Sequence, residues 1–139
     1  AAGAVKYGEG PLAFAGATYD PTSNYRAAAV FAFHRRQGLT PERLRAMSQR
    51  QVGLLKQRFE SLDIDPRVAH VEPMPDERRG GFLAIRTVRA QVLTRDLKRR
   101  GIWTDARGDI LRVGPAPYVT DTQIEDAVVV LGEQLRLPG

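Results

Sequence analysis

Apolar side chains recur along this chain at two periods, one helical and one extended. Leu44, Met47, Leu55, Phe59 and Leu62 fall on one face at three- and four-residue steps, with Val52 at its edge. Arg43, Arg50, Lys56 and Arg58 take the opposite face. That period predicts an amphipathic helix whose stripe is core. Thr40 can cap it, Pro41 suits its first position, and Glu42 places negative charge in its first turn. An earlier helix is predicted from a cap within Thr22, Ser23 and Asn24 to Gln37, stopped by Gly38. Its run of Ala27, Ala28 and Ala29 suits close packing against another helix or a neighbouring domain.

After residue 62 the signal turns extended. Pro66, Pro73 and Pro75 break residues 63–79, with room for a short strand at 67–71. Gly80 and Gly81 precede a strand at 82–87. A helix is predicted over 88–100, with Val92, Leu93 and Leu97 inward and Gly101 as its stop. Ile102-Trp103-Thr104 and Ile110-Leu111-Arg112-Val113 flank a polar, glycine-containing loop and predict a β-hairpin. Gly114-Pro115-Ala116-Pro117 cannot continue a central strand. The last helix starts near Thr120–Thr122, where Thr122 and Glu125 have capping-box spacing. Ile124, Ala127, Val128, Leu131 and Leu135 form its core face.

Helices followed by strand, helix, hairpin and helix predict an α+β fold, a small antiparallel sheet with helices packed on one face. Residues 1–24, rich in Gly, Pro and Ala, read as an N-terminal loop segment with a short extended piece at 12–14. Residues 25–139 read as one small domain. Its first residues carry no basic, apolar leader pattern and read as a cut end rather than a natural beginning.

Composition narrows the function. Of 139 residues, 42% are hydrophobic and 27% charged, as in ordinary soluble globular chains. No apolar run approaches the roughly 18–20 residues of a membrane span. Cysteine is absent, which removes disulfides, thiolate metal ligands and a cysteine nucleophile, and fits a cytoplasmic protein. His34 and His70 have no carboxylates at ligand spacing, so no metal site is expected. The formal charge of +5 is nearly all arginine, scattered among acids. That pattern does not single out nucleic acid as a partner.

One segment carries most of the chemistry: Gly101-Ile102-Trp103-Thr104-Asp105-Ala106-Arg107-Gly108-Asp109-Ile110-Leu111-Arg112-Val113-Gly114-Pro115-Ala116-Pro117-Tyr118. It resembles the C-terminal hairpin of kynureninases and related class V aminotransferases, which are fold-type I enzymes dependent on pyridoxal phosphate. The resemblance implies the small C-terminal domain of a larger enzyme acting on an amino acid. It implies that Arg112, after the hydrophobic pair, binds the substrate α-carboxylate. A planar guanidinium on a strand is suited to that grip. The residues alone leave an alternative open, a structural Arg112 paired with Asp105 or Asp109. Arg107 reads as a bridge from the hairpin to an acid.

A second segment, Phe14 to Arg26, lies where the superfamily has a Gly-Thr turn reaching the cofactor phosphate held by the other subunit of a homodimer. Gly16 and Thr18 are its best matches, although one residue separates them, and Thr22, Ser23 or Arg26 could serve instead. Capping of the first helix is the structural alternative. No lysine here has the setting of a Schiff-base lysine: Lys6 lacks the motif, and Lys56 and Lys98 lie on polar helix faces. The implied partner is therefore a large cofactor-binding domain of the same enzyme, and no catalytic residue is expected in this chain. Transamination and kynureninase-like hydrolysis both remain open. So do two other classes, a stand-alone basic RNA-binding module and a protein-interaction domain.

Overall fold

The computed structural model describes residues 8–11 and 20–137, in two compact units, 1–40 and 41–139. The first contains α1, Thr22–Gln37. Pro21 stands at its cap position and offers no side-chain acceptor; instead the Asp20 Oδ1 accepts from the Thr22 amide at 2.9 Å. The Thr22 hydroxyl first, and its amide second, hold the Asp20 carboxyl below its usual pKa. The helix ends on a left-handed Gly38, and none of its residues is buried.

The second unit holds α2 (Pro41–Glu60), β1 (His70–Val71), a 3₁₀ turn (Asp76–Arg78), β2 (Leu83–Arg86), α3 (Ala90–Arg99), β3 (Asp105–Arg107), β4 (Ile110–Val113) and α4 (Asp121–Arg136). The strands form one antiparallel sheet in the order β1-β2-β4-β3. This is the α+β architecture read from the sequence. Strand side chains alternate between faces. Val71, Leu83, Ile85, Ala106, Leu111 and Val113 point into the core cluster. There they meet Val52, Leu55 and Phe59 of α2, Leu93 and Leu97 of α3, and Ile124, Val128, Leu131 and Leu135 of α4. Ala84, Arg86, Asp105, Arg107, Ile110 and Arg112 are outside that cluster, on the other face of the sheet.

Several local expectations shift. The first hairpin strand is Asp105–Arg107 rather than 102–104, because the turn is the two-residue Gly108-Asp109 loop. Gly108 has φ +58°, the left-handed geometry that a tight hairpin turn demands. Trp103 consequently lies before the strand and is 76% exposed. Helix α3 starts two residues later than predicted, leaving Val88 exposed, and Val92 lies on its outer side; Ala90 takes the inward place. The capping box of α4 belongs to Thr120 and Gln123, because Thr120 holds the extended backbone just before the first helical turn. Glu125, freed from that role, pairs with Arg58 of α2 at 2.6 Å. Arg79, in the turn before Gly80 and Gly81, is buried and donates to the Met74 carbonyl at 2.9 Å.

Leu111 is fully buried and faces Ile85 and Ala106 across the sheet. Replacing it with alanine removes packing between the sheet and the helices. We expect Leu111→Ala to lower unfolding free energy by about 2–5 kcal/mol in urea titration. A loss under about 1 kcal/mol would show that the core does not converge on β4.

Candidate functional site

The sheet face away from α2–α4 carries the charged residues of the hairpin. Burying Leu111 and Val113 leaves Ile110 and Arg112 of β4 on that face. In register, Arg112 lies between Asp105 of β3 and Ala84 of β2. Ala84 is small, and leaves room beside the guanidinium. The neighbouring row sets Arg107, Ile110, Arg86 and His70 side by side.

The two arginines of β2 and β4 differ in their surroundings. Arg86 contacts both Glu72 and, at 2.5 Å, Asp109. Those two acids, Glu72 foremost, raise its pKa above the ordinary arginine value. Arg112 contacts one acid, Asp105, through Nη2. Its guanidinium carbon is 5.2 Å from the centroid of the Phe82 ring, within range of a cation–π contact. Its Nε is buried and has no hydrogen-bond partner among the described residues. The Arg112 side chain is 31% exposed and opens on a shallow cleft of roughly 430 Å³, lined by Gly81, Phe82, Trp103, Thr104, Asp105 and Gly114 besides itself. The Thr104 hydroxyl on the same wall is also buried without a partner among the described residues.

Two supports hold this cleft, and sequence reasoning missed both. Gln51 of α2 is buried, and its Nε2 donates to the carbonyls of Ala116 and Val119 at 3.2 and 2.9 Å. It thereby pins the proline-rich segment that leaves β4. Gly114 packs so close to the residues before β2 that a Cβ there would sit 2.9 Å from the Gly81 carbonyl oxygen and 3.1 Å from the Phe82 Cβ. A polar residue in the middle of the α2 stripe, four residues from both Met47 and Leu55, was the available signal for Gln51; nothing local in the sequence announces the Gly114 contact.

A larger groove of roughly 690 Å³ adjoins the cleft, walled by Trp103, Val113, Pro115, Tyr118, Ile124 and Ala127 among others. Its lining is mostly apolar and does not include Arg112. The smaller cleft is where charge and unpartnered polar atoms coincide, which makes it the candidate site. What it can do chemically is bind a small anion, and a carboxylate has the size and geometry to match.

Arg107 is 3.5 Å from Asp105 through its Nε, the bridging position expected of it. The Lys56 amine lies 3.7 Å from Asp76, and Lys98 stacks over Trp103 at 4.4 Å. Pyridoxal phosphate needs a lysine amine in an apolar cleft, an acid for its ring nitrogen and donors for its phosphate. The described residues do not bring such a set together, so they do not fit the cofactor by themselves. Gly16 and Thr18 lie outside the described residues. Among the described residues no cluster of three or more His, Cys, Asp or Glu could hold a metal, and no helix is long and apolar enough to cross a membrane. Many arginines are matched by acids: Arg50 with Asp121 at 2.7 Å, Arg67 with Asp65 at 2.6 Å, Arg100 with Glu133 at 3.3 Å. The net charge is thereby dispersed rather than gathered into a stripe for nucleic acid.

A family model described as the kynureninase C-terminal domain matches residues 44–131. No curated protein matches the chain.

Because Gly114 abuts the backbone at Gly81, Gly114→Ala should cost about 1–3 kcal/mol of stability and shift the Phe82 ring resonances. Wild-type stability with an unmoved Phe82 would contradict the close approach.

Proposed function

Because the chain belongs to the kynureninase C-terminal domain family, we propose that it is the substrate-carboxylate-binding domain of a pyridoxal-phosphate-dependent enzyme acting on an amino acid, with Arg112 as the clamp. The observation that carries this reading is the position of Arg112, on the face of β4 turned away from α2–α4 and lining an open cleft, with donor capacity left beyond its contact to Asp105. A guanidinium meets a carboxylate through two parallel, charge-assisted hydrogen bonds. Fixing the α-carboxylate also fixes the direction of the bonds at Cα, a positional contribution to rate. The Phe82 ring restrains the guanidinium from one side.

The cofactor chemistry is assigned to a separate large domain, the partner this reading requires, since the described residues do not form a cofactor site. Between transamination and cleavage at the β-carbon, the family match favours a kynureninase-like hydrolase. The proposal extends to a homodimer in which Gly16 and Thr18 contact the cofactor phosphate of the second subunit. Backbone amides and a hydroxyl suit a phosphate. A cytoplasmic location belongs to the same proposal.

In the intact enzyme, Arg112→Ala should raise KM for L-kynurenine roughly 30- to 700-fold, corresponding to about 2–4 kcal/mol for one half of a charged pair. Cofactor retention, read from its visible absorbance, should not change. An unchanged KM, or loss of the cofactor in parallel, rejects Arg112 as the clamp.

A further inference from the structure

We propose that Asp105 is a positioning residue that holds Arg112 ready for the substrate carboxylate; this rests on the clamp reading above and adds a second residue to it. Asp105 and Arg112 are direct cross-strand partners, so the turn that sets the hairpin register also sets their distance. The two oxygens of Asp105 are divided. Oδ2 contacts Arg112 Nη2, and Oδ1 lies 3.5 Å from Arg107 Nε. Arg107 thus helps to orient the acid, and the acid orients Arg112. With Asp105 at one nitrogen and the Phe82 ring beside the guanidinium, the long arginine side chain is restrained before any ligand arrives.

The contact restrains Arg112 without saturating it. Arg86, on the same face, has carboxylates on two of its nitrogens. Arg112 has one, while its Nε and the Thr104 hydroxyl, both buried, have no partner among the described residues. The form at Arg112 is that of a donor held in place with capacity remaining.

The test uses the intact holoenzyme with two probes, L-kynurenine and its carboxamide. Asp105→Asn should raise KM for L-kynurenine about tenfold, the coupling of residues within one salt-bridge network, with kcat changed less than about twofold. KM for the carboxamide, which lacks the charge Arg112 recognises, should stay as it was. Asp105→Asn added to Arg112→Ala should bring no further rise. Asp109→Asn, which removes an acid from the same hairpin but from the Arg86 pair, should leave both KM values unchanged. Asp105→Ser serves as the second variant should the asparagine protein fold poorly.

An unchanged or lowered KM in Asp105→Asn, alongside a large rise in Arg112→Ala, overturns the positioning role and leaves the clamp standing; a lowered KM would make Asp105 a competitor of the substrate. A rise shared by the carboxamide, or persisting in the Arg112→Ala background, also overturns it, since the effect would not pass through Arg112. If Arg112→Ala itself leaves KM unchanged, the clamp reading fails and the role of Asp105 fails with it.

Discussion

Strand β4 can send only alternate side chains into the core, and Leu111 takes that place. Its complete burial against Ile85 and Ala106 commits its neighbour Arg112 to the opposite face of the sheet. A slip of one residue would exchange the two, placing a guanidinium in the core and a leucine in the cleft. Register is therefore held by hydrophobic burial on one side, and the polar arrangement on the other follows from it. The two-residue loop at Gly108-Asp109 enforces the same register from the end of the hairpin. Asp105 is brought opposite Arg112 for that reason rather than by any attraction of its own.

Packing beyond the sheet stabilises the cleft's other walls. Gln51 reaches from α2 to two carbonyls of the segment after β4, so a helix remote in sequence fixes where the chain leaves the site. That segment then delivers Thr120 to cap α4, and Asp121 of α4 returns to α2 through a bidentate contact with Arg50 at 2.8 and 2.7 Å. Bare Gly114 lets the end of β4 approach Gly81 and brings Phe82 alongside Arg112. Gln51 is far from Arg112 in sequence, whereas Gly114 follows it by two residues and lines the cleft itself.

The long apolar stripes were legible before any coordinates. The faces of α2 and α4 follow from period alone, and so does the antiparallel α+β sheet. Arg112 stood out by its motif, and its place on the open side of the sheet follows from alternation once Leu111 is buried. What could not be read locally depends on tertiary context. Trp103 reads as part of a hairpin strand, but the two-residue turn leaves it before the strand and in solvent. Thr120 and Thr122 offer the same capping spacing, and only the backbone at Thr120 decides between them. Arg79 is buried to its guanidinium, which donates to the Met74 carbonyl and to Asp76, and nothing local in the sequence announces that. Gly16 and Thr18 fall outside the described residues, so the phosphate contact assigned to them remains a proposal from the sequence.

The central claim is that the Arg112 guanidinium receives a carboxylate in the cleft beside Phe82 and Trp103. A crystal structure of the intact enzyme with a bound amino-acid inhibitor tests it most directly. The account predicts both carboxylate oxygens within hydrogen-bond distance of Arg112, with Asp105 still beside Nη2. A carboxylate bound elsewhere, with Arg112 closed on Asp105 alone, would contradict it.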